Sequence, residues 1–212
     1  MALTQRGSCV DRYEGTLETL DKNGRWQARS PFTRPHASER VRAVSRRGVV
    51  PQAYVSQLEA AKACAGAGKR LCTNAEWFDA CRGKVPTSYP YGTAREPGRC
   101  NDRGVSPLLR LFPDGDAKFV FSFETMNDPR LNQLAGTVAR TGQFDRCGNS
   151  YGLKDMVGNL HEWTADPSGV FMGGYYLDTT QHGEGCHYMT TGHDTRYHDY
   201  SIGFRCCSDP QR

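Results

Sequence analysis

The chain has 212 residues, 24% charged and 37% hydrophobic, with 27 Lys and Arg against 23 Asp and Glu for a net charge of +4. That length supplies one sizeable core or two small ones, and no stretch reaches the ~18–20 consecutive apolar residues that a membrane-spanning helix requires. Arginines from Arg12 and Arg25 to Arg46 and Arg47 make the first fifty residues basic, but no recognition helix or stacking platform accompanies them. They read as a solvated face, and nucleic acid is excluded as an expected partner.

Taken along the chain, Cys9 to Glu14 alternates like an edge strand, and Asn23-Gly24 is a hairpin-type turn. Two helices follow. Ser56-Gln-Leu-Glu59 is a capping box opening an Ala-rich helix through Ala67, stopped by Gly68. Thr73-Asn-Ala-Glu76 is a second capping box, opening a helix to Arg82 with Gly83 as its stop. On that helix the i, i+3, i+4 rule places Trp77, Ala80 and Cys81 on one face. Beyond Gly83, turn residues such as Pro90-Tyr-Gly92 and Phe112-Pro-Asp-Gly115 leave little room for long regular elements. The last sixty residues predict short strands over 155–163, 171–177 and 201–207. No repeat, low-complexity tract or composition break marks a linker, so the expectation is one loop-rich α+β domain over 1–212.

Nine cysteines are many for this length, and none forms a C-x-x-C pair. Zinc-ribbon and thioredoxin-type chemistry therefore lack their ligand spacing. Scattered cysteines point to disulfides and an oxidising compartment, periplasmic, cell-surface or secreted; buried thiols in a reduced cytosolic protein are the competing reading. The opening Met-Ala-Leu-Thr-Gln-Arg lacks the apolar core of a signal peptide, so a leader or anchor removed upstream is expected. An odd count leaves at least one thiol outside the intrachain pairs. Cys206 and Cys207 are neighbours on a predicted strand, face opposite sides and so have different partners.

Four segments in order carry a resemblance. They are Ala65 to Trp77 followed by Cys81-Arg-Gly83, then Tyr151 to Thr164, then Gly173-Gly-Tyr-Tyr176, then Ile202-Gly-Phe-Arg-Cys206. Together they resemble the formylglycine-generating enzyme (sulfatase-modifying factor) family, which includes ergothioneine sulfoxide synthases and a pyoverdine-maturation oxidase. The resemblance implies a loop-rich, disulfide-stapled variant of the C-type-lectin-like fold with two main helices. It also implies disulfides Cys64–Cys206 and Cys81–Cys186, each closing a loop of more than about a hundred residues and contributing roughly 4–5 kcal/mol in the chain-entropy view. Cys100 and Cys147, which flank the irregular middle, are a candidate third pair; Cys9, Cys72 and Cys207 are not apportioned.

The segment from Asp155 to Glu162 is similar to a calcium loop of the family, with side-chain ligands Asp155 and Glu162 and backbone ligands Gly158 and Leu160. Calcium takes about six to eight oxygens, and a loop can offer carbonyls that a helix cannot. The family's copper is held by two cysteines, separated by four residues, just after its Gly-Gly-Ser-Tyr equivalent. Here that stretch, from Gly173 to Cys186, contains only Cys186, the disulfide position, so copper-thiolate formylglycine generation is not expected. Five histidines instead fall after position 160, and His161 replaces an aromatic of the family's substrate cleft. Imidazole and carboxylate suit iron, copper or zinc. The resulting expectation is that His161, His193 and Asp194 converge on one cleft beside Tyr175 and Tyr176, hold iron or copper, and act on a peptide or small exported metabolite as a metal-dependent oxidoreductase. The alternative is a non-catalytic, calcium-stabilised binding module using the same cleft, since this scaffold hosts both roles.

Overall fold

The computed structural model describes residues 1–210. In chain order the strands are β1 (Ala2–Leu3), β2 (Cys9–Val10), β3 (Gly15–Leu20), β4 (Trp26–Ala28), β5 (Val41–Ser45), β6 (Arg70–Leu71), β7 (His161–Trp163), β8 (Phe171–Met172), β9 (Met189–Thr190), β10 (Ile202–Phe204) and β11 (Cys206–Ser208). The helices are α1 (Gln57–Gly66), α2 (Asn74–Arg82) and the short α3 (Pro107–Leu111), α4 (Ala117–Val120) and α5 (Phe123–Met126). The expected α+β, loop-rich, disulfide-stapled class is the one observed.

Both capping boxes close as the sequence requires. The Ser56 hydroxyl accepts the Glu59 N–H and the Glu59 carboxylate accepts the Ser56 N–H, and Thr73 and Glu76 repeat the exchange on α2. Trp77, Ala80 and Cys81 are fully buried on one face of α2. The hairpin of β3 and β4 turns at Gly24, and β5 pairs on the far side of β3.

The strands are shorter than expected. The segment 155–163 forms a strand only at β7, because Asp155, Gly158 and Asn159 all adopt positive φ and coil the chain into a loop. The segment 171–177 ends as strand after Met172, where Gly173 and Gly174 turn the chain the same way. The segment 201–207 splits at Arg205, with β10 joining the sheet β10-β7-β8-β9 and β11 joining the sheet β1-β2-β11-β6. β2 is therefore not an edge strand: β11 arrives from the other end of the chain and pairs along its open side, Cys207 opposite Val10. Nothing local to residues 9–14 carries that partner.

Four disulfides close: Cys64–Cys206, Cys72–Cys207, Cys81–Cys186 and Cys100–Cys147. Adjacent Cys206 and Cys207 reach partners on opposite faces of β11, tying it to α1 and to the chain just after β6. Cys9, half-buried on β2, is the one unpaired thiol among the described residues. Peptide mapping without reduction is expected to recover these four linked pairs and alkylate only Cys9. Opening Cys64–Cys206 by double Ala substitution should cost roughly 5 kcal/mol in chemical denaturation.

Candidate functional site

β7 divides the molecule's chemistry between its two faces. Its middle residue, Glu162, turns to the interior, where its carboxylate accepts the indole N–H of Trp77 at 2.6 Å and faces the guanidinium of Arg205, with Nη2 at 2.7 Å and Nε at 2.9 Å. Arg205 is 1% exposed and also donates to the carbonyls of Asp11 and Lys154, both at 2.8 Å. Two further buried carboxyls adjoin this pair. Glu14 accepts from the Asn159 amide at 2.6 Å, and Asp155 accepts from the Gly142 N–H at 2.6 Å. Burial, reinforced by Asp155 and Glu162, pushes the Glu14 carboxyl well above its usual range. Burial likewise pushes Asp155 up to about 6, against the Gly142 N–H and the Arg205 charge.

The proposed calcium ligands lie in this region. Asp155 and Glu162 are buried on either end of the loop, and Gly158 sits at φ 76° with its Cα pressed towards Asn101, whose carbonyl oxygen would be 2.3 Å from any Cβ. Three buried carboxyls therefore face a single guanidinium, a set of hard oxygen donors of the kind a divalent cation takes. Among the described residues no three His, Cys, Asp or Glu side chains stand close enough to hold an ion alone.

The other face of β7 opens on a cavity of about 710 Å³. His161 forms its floor, 5% exposed, with its ring 4.7 Å from Phe171, 4.8 Å from Tyr175 and 5.4 Å from Tyr188. Its Nδ1 is enclosed and has no hydrogen-bond partner among the described residues. Burial drives its pKa down to about 3, so the imidazole is neutral at physiological pH. His193 lines the same cavity, its ring 4.3 Å from Phe171, and burial lowers its pKa too. The loop bearing His193 can seat there because residue 169 is glycine: a Cβ would lie 1.7 Å from the His193 carbonyl oxygen.

The sequence-derived set is thus partly assembled. His161, His193 and Tyr175 share the cavity. Asp194 is exposed, outside the lining, and its carboxylate accepts the Arg196 N–H at 2.8 Å. Tyr176 is fully buried beneath the site and its hydroxyl donates to Asn132 at 3.1 Å. In their place the structure brings in Asp178, His182 and Tyr188, which sequence reasoning did not single out. A signal was present, since Asp178 and His182 lie in the stretch where the family keeps its copper cysteines, although three residues rather than four separate them. Asp178 accepts the N–H groups of Thr180 and Gln181 on Oδ1 and the Tyr188 hydroxyl on Oδ2 at 2.8 Å. Although burial opposes ionisation, these bonds hold its carboxyl below the ordinary range. Cys81–Cys186 anchors this loop to α2, and no cysteine lines the cavity.

Comparison with known proteins settles the lineage. Residues 4–210 match the family described as sulfatase-modifying factor enzyme 1-like domain. The chain belongs to this family. It is 32% identical to the mouse (Mus musculus) inactive C-alpha-formylglycine-generating enzyme 2 over 175 residues, covering 77% of this chain and 50% of that protein. It is 28% identical to the formylglycine-generating enzyme of Mycobacterium tuberculosis over 192 residues, covering 76% of this chain and 58% of the relative. The chain thus spans about half the length of the curated relatives it matches. Among solved structures, the Major Tropism Determinant I1 variant aligns with TM-score 0.46 and 13% identity, over 73% of this chain and 38% of that one.

The buried neutral imidazole makes stability pH-dependent. In the unfolded chain His161 takes up a proton below about pH 6.5, whereas in the folded chain it does so only near pH 3. Its contribution is therefore lost as pH falls from about 6.5 towards 3, amounting to about 2 kcal/mol between pH 7.5 and pH 5. His161→Phe should flatten that portion of the stability profile, measured as the difference between wild type and variant in urea melts at the two pH values.

Proposed function

We propose that this chain is a ligand-binding member of the family, whose cleft recognises a peptide or small molecule in an extracytoplasmic compartment without activating oxygen. The observation that carries this reading is the cleft itself: a cavity of about 710 Å³ floored by the unpartnered, neutral His161 and free of cysteine in its lining. Eight of the nine cysteines are spent in disulfides, and the ninth, Cys9, lies on β2, so the soft thiolate pair that selects Cu(I) has no source near the cleft. Four disulfides also suit an oxidising compartment, and no helix among the described residues is long and apolar enough to cross a membrane. That a relative bears the name of an inactive enzyme supports the same direction.

The test is oxygen uptake by the disulfide-intact protein supplied in turn with Cu(I) and Fe(II) and a cysteine-containing peptide. The expected result is consumption no faster than buffer with metal alone. Turnover abolished by His161→Phe would instead establish the metal-dependent oxidoreductase.

Calcium completes the scaffold in this reading, held by Asp155, Glu162 and the carbonyls of Gly158 and Leu160. The support is the cluster of buried carboxyl groups around Arg205. A ligand that binds only the native state at a hundred times its Kd stabilises by about 2.7 kcal/mol. The melting temperature should therefore be higher in millimolar calcium than in EDTA, and Asp155→Ala should erase the difference. Identical wild-type melting in both would leave Arg205 as the only cation the loop needs.

A further inference from the structure

We infer that the cleft's ligand carries an organic cation with N–H donors, an ammonium or guanidinium group on an apolar or aromatic body, seated between Asp178 and His161. The inference rests on the binding reading above and assigns its ligand class. Among the residues that line the cavity, Asp178 is the only acidic side chain, and neither Lys nor Arg is present. A cavity with one fixed negative charge and no cation to neutralise it attracts positive ligands and repels anions.

The carboxylate is held in place. Thr180 and Gln181 N–H groups fix Oδ1 and the Tyr188 hydroxyl fixes Oδ2, yet a carboxylate has about four acceptor positions, so Oδ2 keeps one for a ligand. His161 supplies a second acceptor. Nδ1 is the enclosed nitrogen, while Nε2 also makes no hydrogen bond within the described chain and is the one a ligand can reach. A ligand N–H donating to Nε2 selects the tautomer with its proton on Nδ1. The walls fit the same ligand. Phe171, Tyr175 and Tyr188 surround His161 at 4.7, 4.8 and 5.4 Å, and aromatic faces attract cations within ~6 Å of the ring centre. A bare metal ion is the poorer occupant, since no third His, Cys, Asp or Glu ligand converges among the described residues.

Four probes that share a phenyl ring separate these contributions by calorimetry at pH 7.5: benzylamine, benzyltrimethylammonium, benzyl alcohol and benzoate. Benzylamine should bind at least about tenfold more tightly than benzyl alcohol, as loss of a charge-assisted contact implies, with benzyltrimethylammonium between them and benzoate weakest. Asp178→Asn should remove the preference for benzylamine over benzyl alcohol, and His161→Phe should narrow the preference for benzylamine over benzyltrimethylammonium. The wild-type ranking alone decides the matter if either variant fails to fold. Benzoate or benzyl alcohol binding as tightly as benzylamine, a ranking that survives both substitutions, or no binding by any probe would overturn the cation assignment. The first of these would still leave a ligand-binding cleft, whereas metal-dependent oxygen uptake would overturn the binding reading itself.

Discussion

The buried ion pair between Glu162 and Arg205 is the constraint on which the rest of the molecule hangs. Arg205 stands where the chain passes from one four-stranded sheet to the other, and its three nitrogens reach β7, the segment after β2 and the loop before β7. A guanidinium enclosed in this way is tolerable only if its donors are matched, and here both the carboxylate and two backbone carbonyls match them. Removing one partner of such a pair costs about 3–5 kcal/mol, because the other charge is left buried and unpaired. The pair therefore fixes the register of β10 against β7 as well as the exit of β11.

That register is what builds the cleft. With Glu162 turned inward, its neighbour His161 must project from the opposite face, and Phe171 on β8 follows it through the cross-strand pairing of Trp163 with Phe171. The cleft floor is thus set by the same strand that carries the charge cluster. Its rim comes from segments without regular structure, and covalent bonds do there what a sheet does elsewhere. Cys81–Cys186 holds the loop that presents Asp178, His182 and Tyr188, while Cys64–Cys206 and Cys72–Cys207 hold the strand that follows the His193 loop. A rim of loops on a disulfide frame can vary in side chains without loss of the fold.

The chemistry of the two faces differs in a way that matters for function. The inner face concentrates carboxyls around one fixed guanidinium and reads as a structural centre. The outer face offers imidazoles, aromatic rings and a single carboxylate around the cavity. Thiolate chemistry belongs to neither, because oxidation to disulfides has consumed every cysteine but Cys9.

What the sequence determined by itself was whatever short-range chemistry encodes. The boxes at Ser56 and Thr73 announce α1 and α2 because cap and N3 residue are three apart and bond each other. The opposite facing of Cys206 and Cys207 follows from strand alternation, and the family was legible in four ordered motifs. Through that resemblance came Cys64–Cys206 and Cys81–Cys186. Only the tertiary structure decided the pairing of Cys72 with Cys207, since the register of β6 against β11 is set by contacts more than a hundred residues apart in sequence. It alone shortened the 155–163 strand, through left-handed Asp155 and Asn159, residues whose sequence did not demand that conformation. It also exchanged Asp194 and Tyr176 for Asp178, His182 and Tyr188 in the cleft. Loop residues carry no periodicity that says where they point; their direction is fixed by a disulfide, a glycine contact and a buried charge elsewhere in the chain.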